Sequence, residues 1–133
     1  SADNAHAVHP NHPQKTDAEN CVYMNEGIVI KSHAGQKYTS DAVSIAIFRN
    51  ICKQAGVPVQ FFANRSDEAG GSTLGNISSA QVSLNAVDVG LPQLAMHSAY
   101  ETAGIKDTEY MVQAMTTFFG SHISMEKGQI IWS

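Results

Sequence analysis

The sequence predicts an α/β layered fold in which a largely parallel sheet is flanked by helices. Three observations carry that expectation. Short β-branched or aromatic runs alternate along the chain with segments of helical hydrophobic period. Glycine, proline and capping residues sit at the joins between them. Apolar residues make up 43% of the 133-residue chain and charged ones only 15%, enough apolar surface to cover a real core.

The elements follow in order. Pro10 and Pro13 break any helix through the opening, so residues 9–27 read as a loop with a short extended piece near Cys21–Met24. Gly27–Lys31 has the signature of a buried strand. Thr39, Ser40 and Asp41 offer N-caps to a helix whose Val43, Ile47, Phe48, Ile51 and Ala55 recur at helical spacing. Gly56 closes that helix and Pro58 prevents its continuation. Val59–Ala63 is the next strand, followed by the glycine-rich turn 69–75 and a short helix through Ile77 to Val82. Ala86–Gly90 reads as a further strand, with Gly90, Leu91 and Pro92 turning out of it. Thr108 is placed to cap a last helix, with Met111, Val112, Met115, Phe118 and Phe119 on one face and Gly120 at its end. Gln129–Trp132 is a weak terminal strand.

Composition excludes several classes of function. A formal net charge of −4 gives no basic face for nucleic acid. No apolar stretch approaches the roughly 20 residues that span a bilayer, so no membrane partner is expected. The polar, histidine-rich opening does not read as a signal peptide. Two cysteines, Cys21 and Cys52, are too few for a disulfide framework and too far apart for a metal knuckle. Free thiols suit a reducing compartment, and the expected address is cytoplasmic.

Functional groups are expected on loops beyond the strand ends. Asp3, His6, His9 and His12 recur every three residues and are of metal-ligating type, but Pro10 and Pro13 forbid one helical face holding all four. The alternative is that these histidines cap carbonyls in an irregular loop. His97, beside Leu94 and Met96, reads on its own more often as a hydrogen-bonded core residue than as a ligand. Lys31 ends a buried strand where it could meet an anion, although its ordinary reading is a solvated side chain, and Tyr38 lies on the same connection. The Gly70–Gly75 turn could offer N–H groups to an anion but lacks the lysine of a phosphate loop.

Taken together and in this order, five segments resemble the C-terminal part of the aspartyl aminopeptidase family. They are SADNAHAVHPN at residues 1–11, Gly27–Lys31 with Gln36–Tyr38, Arg65–Asp67, Gly71–Gly75 and DVGLPQLAMHS at residues 88–98. The likeness runs from the first residue to the last helix. It implies part of a zinc-exopeptidase catalytic domain acting on peptides with N-terminal Asp or Glu. Two zinc ions per site are implied, with manganese or cobalt as possible replacements. Asp3 would be a ligand to one metal near the substrate amine, and His97 a ligand to the other. His6 would face the reacting centre, while Lys31 and Tyr38 would hold the substrate, Lys31 pairing with its acidic side chain. His9 and His12 match no ligand and are left structural. Homo-oligomeric assembly is also implied.

The resemblance calls for another histidine, a bridging aspartate and a Glu-Glu pair supplying the general base, all upstream of residue 1. Residues 1–133 are accordingly expected to be the C-terminal portion of the catalytic domain, without the N-terminal half and the inserted domain, and inactive alone. The competing reading is a noncatalytic α/β binding or assembly module that keeps the family fold. A third is a phosphate or nucleotide site at Gly70–Gly75.

Overall fold

The computed structural model describes residues 1–132. In chain order its elements are β1 (Ala5–His6), β2 (Ile28–Ser32), α1 (Ala42–Ala55), β3 (Val59–Ala63), α2 (Leu74–Gln81), β4 (Val89–Gly90), β5 (Pro92–Leu94), β6 (Thr102–Ala103), α3 (Ile105–Gly120), β7 (Ile123–Glu126) and β8 (Gln129–Trp132). The chain is α/β, with sheets flanked by helices.

The central sheet has the order β3-β2-β4. Strand β2 is its middle and is buried on both faces, which is why its sequence is a continuous apolar run instead of an alternating one. Ile28 and Ile30 pack with Phe48, Ile51 and Cys52 of α1, with Val57 and Val89, and with Ala114 of α3. On the opposite face, Val29 lies among Ala5, Val22, Tyr38 and Phe62. Helix α1 forms for the reasons its sequence advertises. Asp41 and Ser44 make a reciprocal capping box, with Ser44 N donating to Asp41 Oδ1 at 2.7 Å. Gly56 ends the helix in the left-handed region, at φ 69°.

Pairing is mixed, with the longest ladder of the central sheet parallel. Strand β3 runs parallel to β2, but β4 is antiparallel to it. A second small sheet, β1-β5-β6, joins the opening of the chain in parallel to Pro92–Leu94. Pro92 is therefore a strand residue instead of a turn. The bonds to the opening use the carbonyls of Leu91 and Gln93, and the β6 ladder begins at Gln93, so the N–H that proline lacks breaks no bond. Residues 1–7 and 89–93 make one extended ladder: Asp3 N donates to Val89 O at 2.8 Å, Ala5 N to Leu91 O and Ala7 N to Gln93 O, both at 2.9 Å. The piece around Cys21–Met24 is not a strand, although Val22 O accepts from Val8 N and secures the loop to the opening.

Helix α3 departs from expectation at both ends. It starts at Ile105 after Gly104, with Thr108 inside its first turns, and it includes Gly120. Its buried positions are Asp107 and Ala114, with Tyr110, Met111 and Met115 packed on the core, whereas Val112 and Phe119 stand exposed. What fixes its start is a reciprocal lock with the loop before β2. Asp107 accepts from Asn25 N at 2.5 Å and from Gly27 N at 3.0 Å, while Asn25 Oδ1 accepts from Lys106 N at 3.1 Å. Removing that carboxylate leaves two N–H groups without an acceptor in a buried setting. Asp107→Ala is expected to cost about 2–4 kcal/mol in urea unfolding, with Asp107→Asn recovering part of it. A loss below about 0.5 kcal/mol would show that water replaces the carboxylate.

Both cysteines are free, Cys52 buried and Cys21 exposed. Burial pushes the Cys52 thiol up to about 11. No helix among the described residues is long and apolar enough to cross a membrane.

Candidate metal and substrate site

The ladder between residues 1–7 and 89–93 borders one cavity of about 430 Å³. Asp3 and His6 reach it from the opening, Lys31 from the end of β2, Tyr38 from the β2–α1 connection, and His97 from the turn after β5. All five residues that the sequence singles out thus line the same cavity, although 91 positions separate His6 from His97. His9 and His12 stand at it as well, their ring centroids 5.2 Å apart. The loop containing Asn64, Gly70 and Thr73 forms another wall.

Each side chain has a local reason for its place. Gly90 has no room for a Cβ, which would fall 1.8 Å from the Asp3 carbonyl oxygen; only glycine lets the two backbones approach so closely. His97 occupies the left-handed region at φ 66°, two residues after Ala95 at φ 54°. A conformation of that kind costs about 1 kcal/mol or more and persists when the surroundings over-determine it. Here Glu101 Oε1 accepts from His97 N at 2.6 Å and secures the turn. His97 is exposed, not the hydrogen-bonded core residue that its apolar neighbours suggest.

Lys31 is the larger surprise for a reading of residues alone: it is 3% exposed. Its ammonium lies 5.1 Å from the centroid of the Tyr38 ring and donates only to Asn4 O, at 3.3 Å. Among the described residues the single ion pair is Arg65–Asp67, so no carboxylate neutralises Lys31 at contact distance. Burial pushes its pKa below the ordinary lysine value, while Asp3 and Asp88 pull it back up. His6 is exposed overall, but the part of its ring turned into the cavity loses solvent, and this, then His97 and Lys31, holds it below the usual imidazole value, which favours its neutral form at pH 7. Burial raises the Tyr38 phenol, and the neighbouring Asn64 amide partly offsets that.

Asp88 is a participant that motif reading did not assign. It is fully buried, and its Oδ2 accepts from Thr39 N at 2.7 Å and Thr39 Oγ1 at 3.0 Å. Burial pushes its carboxyl up, but Ser1, Thr39 and Thr73 outweigh burial and hold it below the ordinary range. It therefore stays an anion behind the wall that carries Lys31 and Tyr38. An acid between Val87 and Val89, in a segment that reads as a strand, was the available signal.

The donor set fits zinc in kind: carboxylate oxygen and neutral imidazole nitrogen suit it. In number it falls short. A catalytic zinc takes three protein ligands, and among the described residues no group of three His, Cys, Asp or Glu is placed to hold an ion.

Two zinc-type donors, Asp3 and His97, and the buried Lys31 cation line one cavity of a mixed α/β chain. The sequence profile of the Aminopeptidase I zinc metalloprotease (M18) family matches residues 1–119, and this chain belongs to that family. It is 49% identical over 119 residues to a probable M18 family aminopeptidase 2 of Clostridium acetobutylicum, covering 90% of this chain and 28% of that protein. A probable M18 family aminopeptidase 2 of Ectopseudomonas mendocina is 45% identical over 121 residues, again 28% of its length. Among solved structures, the Ape4 and Nbr1 complex superposes with a TM-score of 0.87 at 40% identity, over 90% of this chain and 23% of that one. The S. cerevisiae mApe1 dodecamer gives 0.79 at 28% identity, over 90% and 26%. The chain thus spans about 28% of the length of the curated relatives it matches.

Proposed function

We propose that this chain is the C-terminal portion of the catalytic domain of a two-zinc aminopeptidase that releases N-terminal residues, preferably Asp or Glu, from peptides. The observation that carries the reading is the Lys31 ammonium, buried in the same cavity as Asp3 and His97 without a carboxylate partner at contact distance. A buried cation left in that state is a site for a ligand's negative charge. Zinc, when bound, supplies Lewis-acid polarisation of the scissile carbonyl and a nucleophile at neutral pH.

The chain's own residues divide the remaining work. Asp3 and His97 are donors to the two ions; manganese or cobalt could replace zinc with the same donor types. His6, neutral at pH 7, faces the reacting centre as a hydrogen-bonding group. Lys31 and Tyr38 grip the acidic side chain and so place the scissile bond. Assembly as a homo-oligomer is supported by the dodecamer of the S. cerevisiae relative, and a cytoplasmic setting by the two free thiols. For residues 1–133 taken alone, the shortage of metal donors among the described residues favours the noncatalytic reading.

The 133-residue polypeptide by itself is expected to bind zinc weakly and to release no aspartate from an aspartyl peptide. Calorimetric zinc titration and a ninhydrin assay check this. Zinc-dependent turnover by that polypeptide would show that it holds a complete site.

A further inference from the structure

The antiparallel register of β2 and β4, Val29 against Gly90 and Ile30 against Val89, continues one residue further to set Lys31 against Asp88. Lys31 N donates to Asp88 O at 2.9 Å across that step. Residues directly opposed in such a pair share a face, with Cβ atoms about 5 Å apart. Val89 packs with Ile30 on one side of the sheet, so Asp88 turns with Lys31 to the other. Asp88 is thus an acid placed to neutralise the buried ammonium, yet the two form no ion pair. Its carboxylate is spent elsewhere. Oδ2 accepts from Thr39 N at 2.7 Å and from Thr39 Oγ1 at 3.0 Å, and Asp88 N donates to Ser40 Oγ at 2.9 Å. The first turn of α2 closes over this contact: a Cβ at Gly75 would fall 2.7 Å from Thr39 Oγ1 and 3.0 Å from Asp88 Oδ2.

We propose that Asp88 is a positioning residue of the acidic-substrate pocket: its carbonyl fixes Lys31, its carboxylate fixes Thr39 and with it Tyr38, and Thr39 in turn keeps that carboxylate off the Lys31 ammonium. This rests on the reading that Lys31 and Tyr38 hold an acidic side chain. The two groups lie at opposite ends of the β2–α1 connection, and Asp88 ties both ends to one residue. That tie sets the spacing of the pair, with the ammonium 5.1 Å from the Tyr38 ring centroid. An ammonium bonded to Asp88 would have its charge answered before a substrate arrived; one bonded only to Asn4 O keeps donors for a substrate carboxylate. Asp88 is fully buried and does not line the cavity, so it acts through its neighbours and not on the substrate.

The test compares aspartyl and asparaginyl p-nitroanilides, which differ in charge and little in shape, on the full-length zinc-loaded protein. Asp88→Ala is expected to lower the acidic-to-neutral ratio of kcat/KM by about tenfold, as a rise in KM for the aspartyl substrate, with asparaginyl turnover within about threefold. Asp88→Asn still offers Thr39 an oxygen and should hold the ratio within about twofold. Thr39→Val removes one of the two donors at nearly constant volume and should lower the ratio about threefold, with Thr39→Ser restoring it. Asp88→Ala decides where it folds, and the Thr39 pair decides where it does not. An unchanged ratio in the deciding variant overturns the proposal. So does an equal loss on both substrates, which would assign the contact to architecture, and so does an Asp88→Asn loss as deep as that of Asp88→Ala, which would assign the effect to charge alone. Lys31→Met separates this proposal from the reading beneath it. If Lys31→Met collapses the ratio and the deciding variant does not, only the role of Asp88 fails; if Lys31→Met leaves the ratio unchanged, the acidic-pocket reading fails and this proposal with it.

Discussion

Replacing Lys31 by methionine in the complete zinc-loaded enzyme is expected to cut kcat/KM for an N-terminal aspartyl substrate by roughly 30- to 1,000-fold, or about 2–4 kcal/mol. Turnover of a leucyl substrate should stay within a few-fold. The magnitude follows from where the charge sits. At 3% exposure, Lys31 is largely stripped of water, so a substrate carboxylate beside it is not screened as it would be on the surface. Methionine keeps much of the stem's volume and removes only the charge and its donors.

The same substitution should leave the fold at least as stable, which separates lost recognition from lost structure. Burial depresses the Lys31 pKa in the folded state, so the unfolded chain binds the proton more tightly. Its contribution opposes folding at neutral pH, and stability rises as pH climbs between the folded and unfolded pKa values. Methionine removes that penalty. A Lys31→Met enzyme that melts well below wild type would contradict this account, and one that keeps its acidic preference would remove the basis of the proposed specificity.

How much of this could be read in the sequence depended on whether local chemistry or tertiary contact decided each element. Strand β2 and helix α1 were legible because their own residues dictate them: a β-branched run buried on both faces, and a capping box closed by a left-handed glycine. Strand β1 was not, because Asp3, Asn4 and His6 read as loop. Its signal was the faint alternation of buried Ala5 and Ala7 with exposed His6. The start of α3 was hidden because its lock is made in trans by Asn25, 81 positions away from the Lys106 N–H that it caps. The pairing sense of β4 was likewise beyond local pattern, since its direction is set by the second ladder with the opening.

The candidate site divides the same way. Motif identity pointed to Asp3, His6, Lys31, Tyr38 and His97, and the fold brings them to one cavity. Asp88 and Asn64 needed coordinates, because what distinguishes them is burial combined with an atom left unpartnered: Oδ1 of Asp88 and Nδ2 of Asn64. Neither property has a signature in residue type or spacing. An acid inside an apolar strand is at most a flag that something must compensate it.

Gly90 is where the ladder and the site meet, and Gly90→Ala carries the second large expected effect. The added Cβ would fall 1.8 Å from Asp3 O, 2.6 Å from its carbonyl carbon and 2.8 Å from Asn4 Cα. These are backbone atoms on a paired segment, so no side-chain rotation relieves the clash. The opening must move off residues 89–91, loosening Asp3 N to Val89 O and Ala5 N to Leu91 O. Overpacking of this kind costs about 3 kcal/mol. Because the segment that moves carries Asp3, a displacement of about 1 Å should also lower kcat/KM on the order of 100-fold, even under conditions where the variant remains folded. Gly71→Ala is the matched control. It lies on the same cavity wall, but its Cβ meets nothing within 4 Å, so stability should change by no more than about 0.5 kcal/mol. Thermal melts and zinc titration of the two variants decide the matter. If Gly90→Ala matches Gly71→Ala in both, the close approach of the two backbones does not hold Asp3 in place.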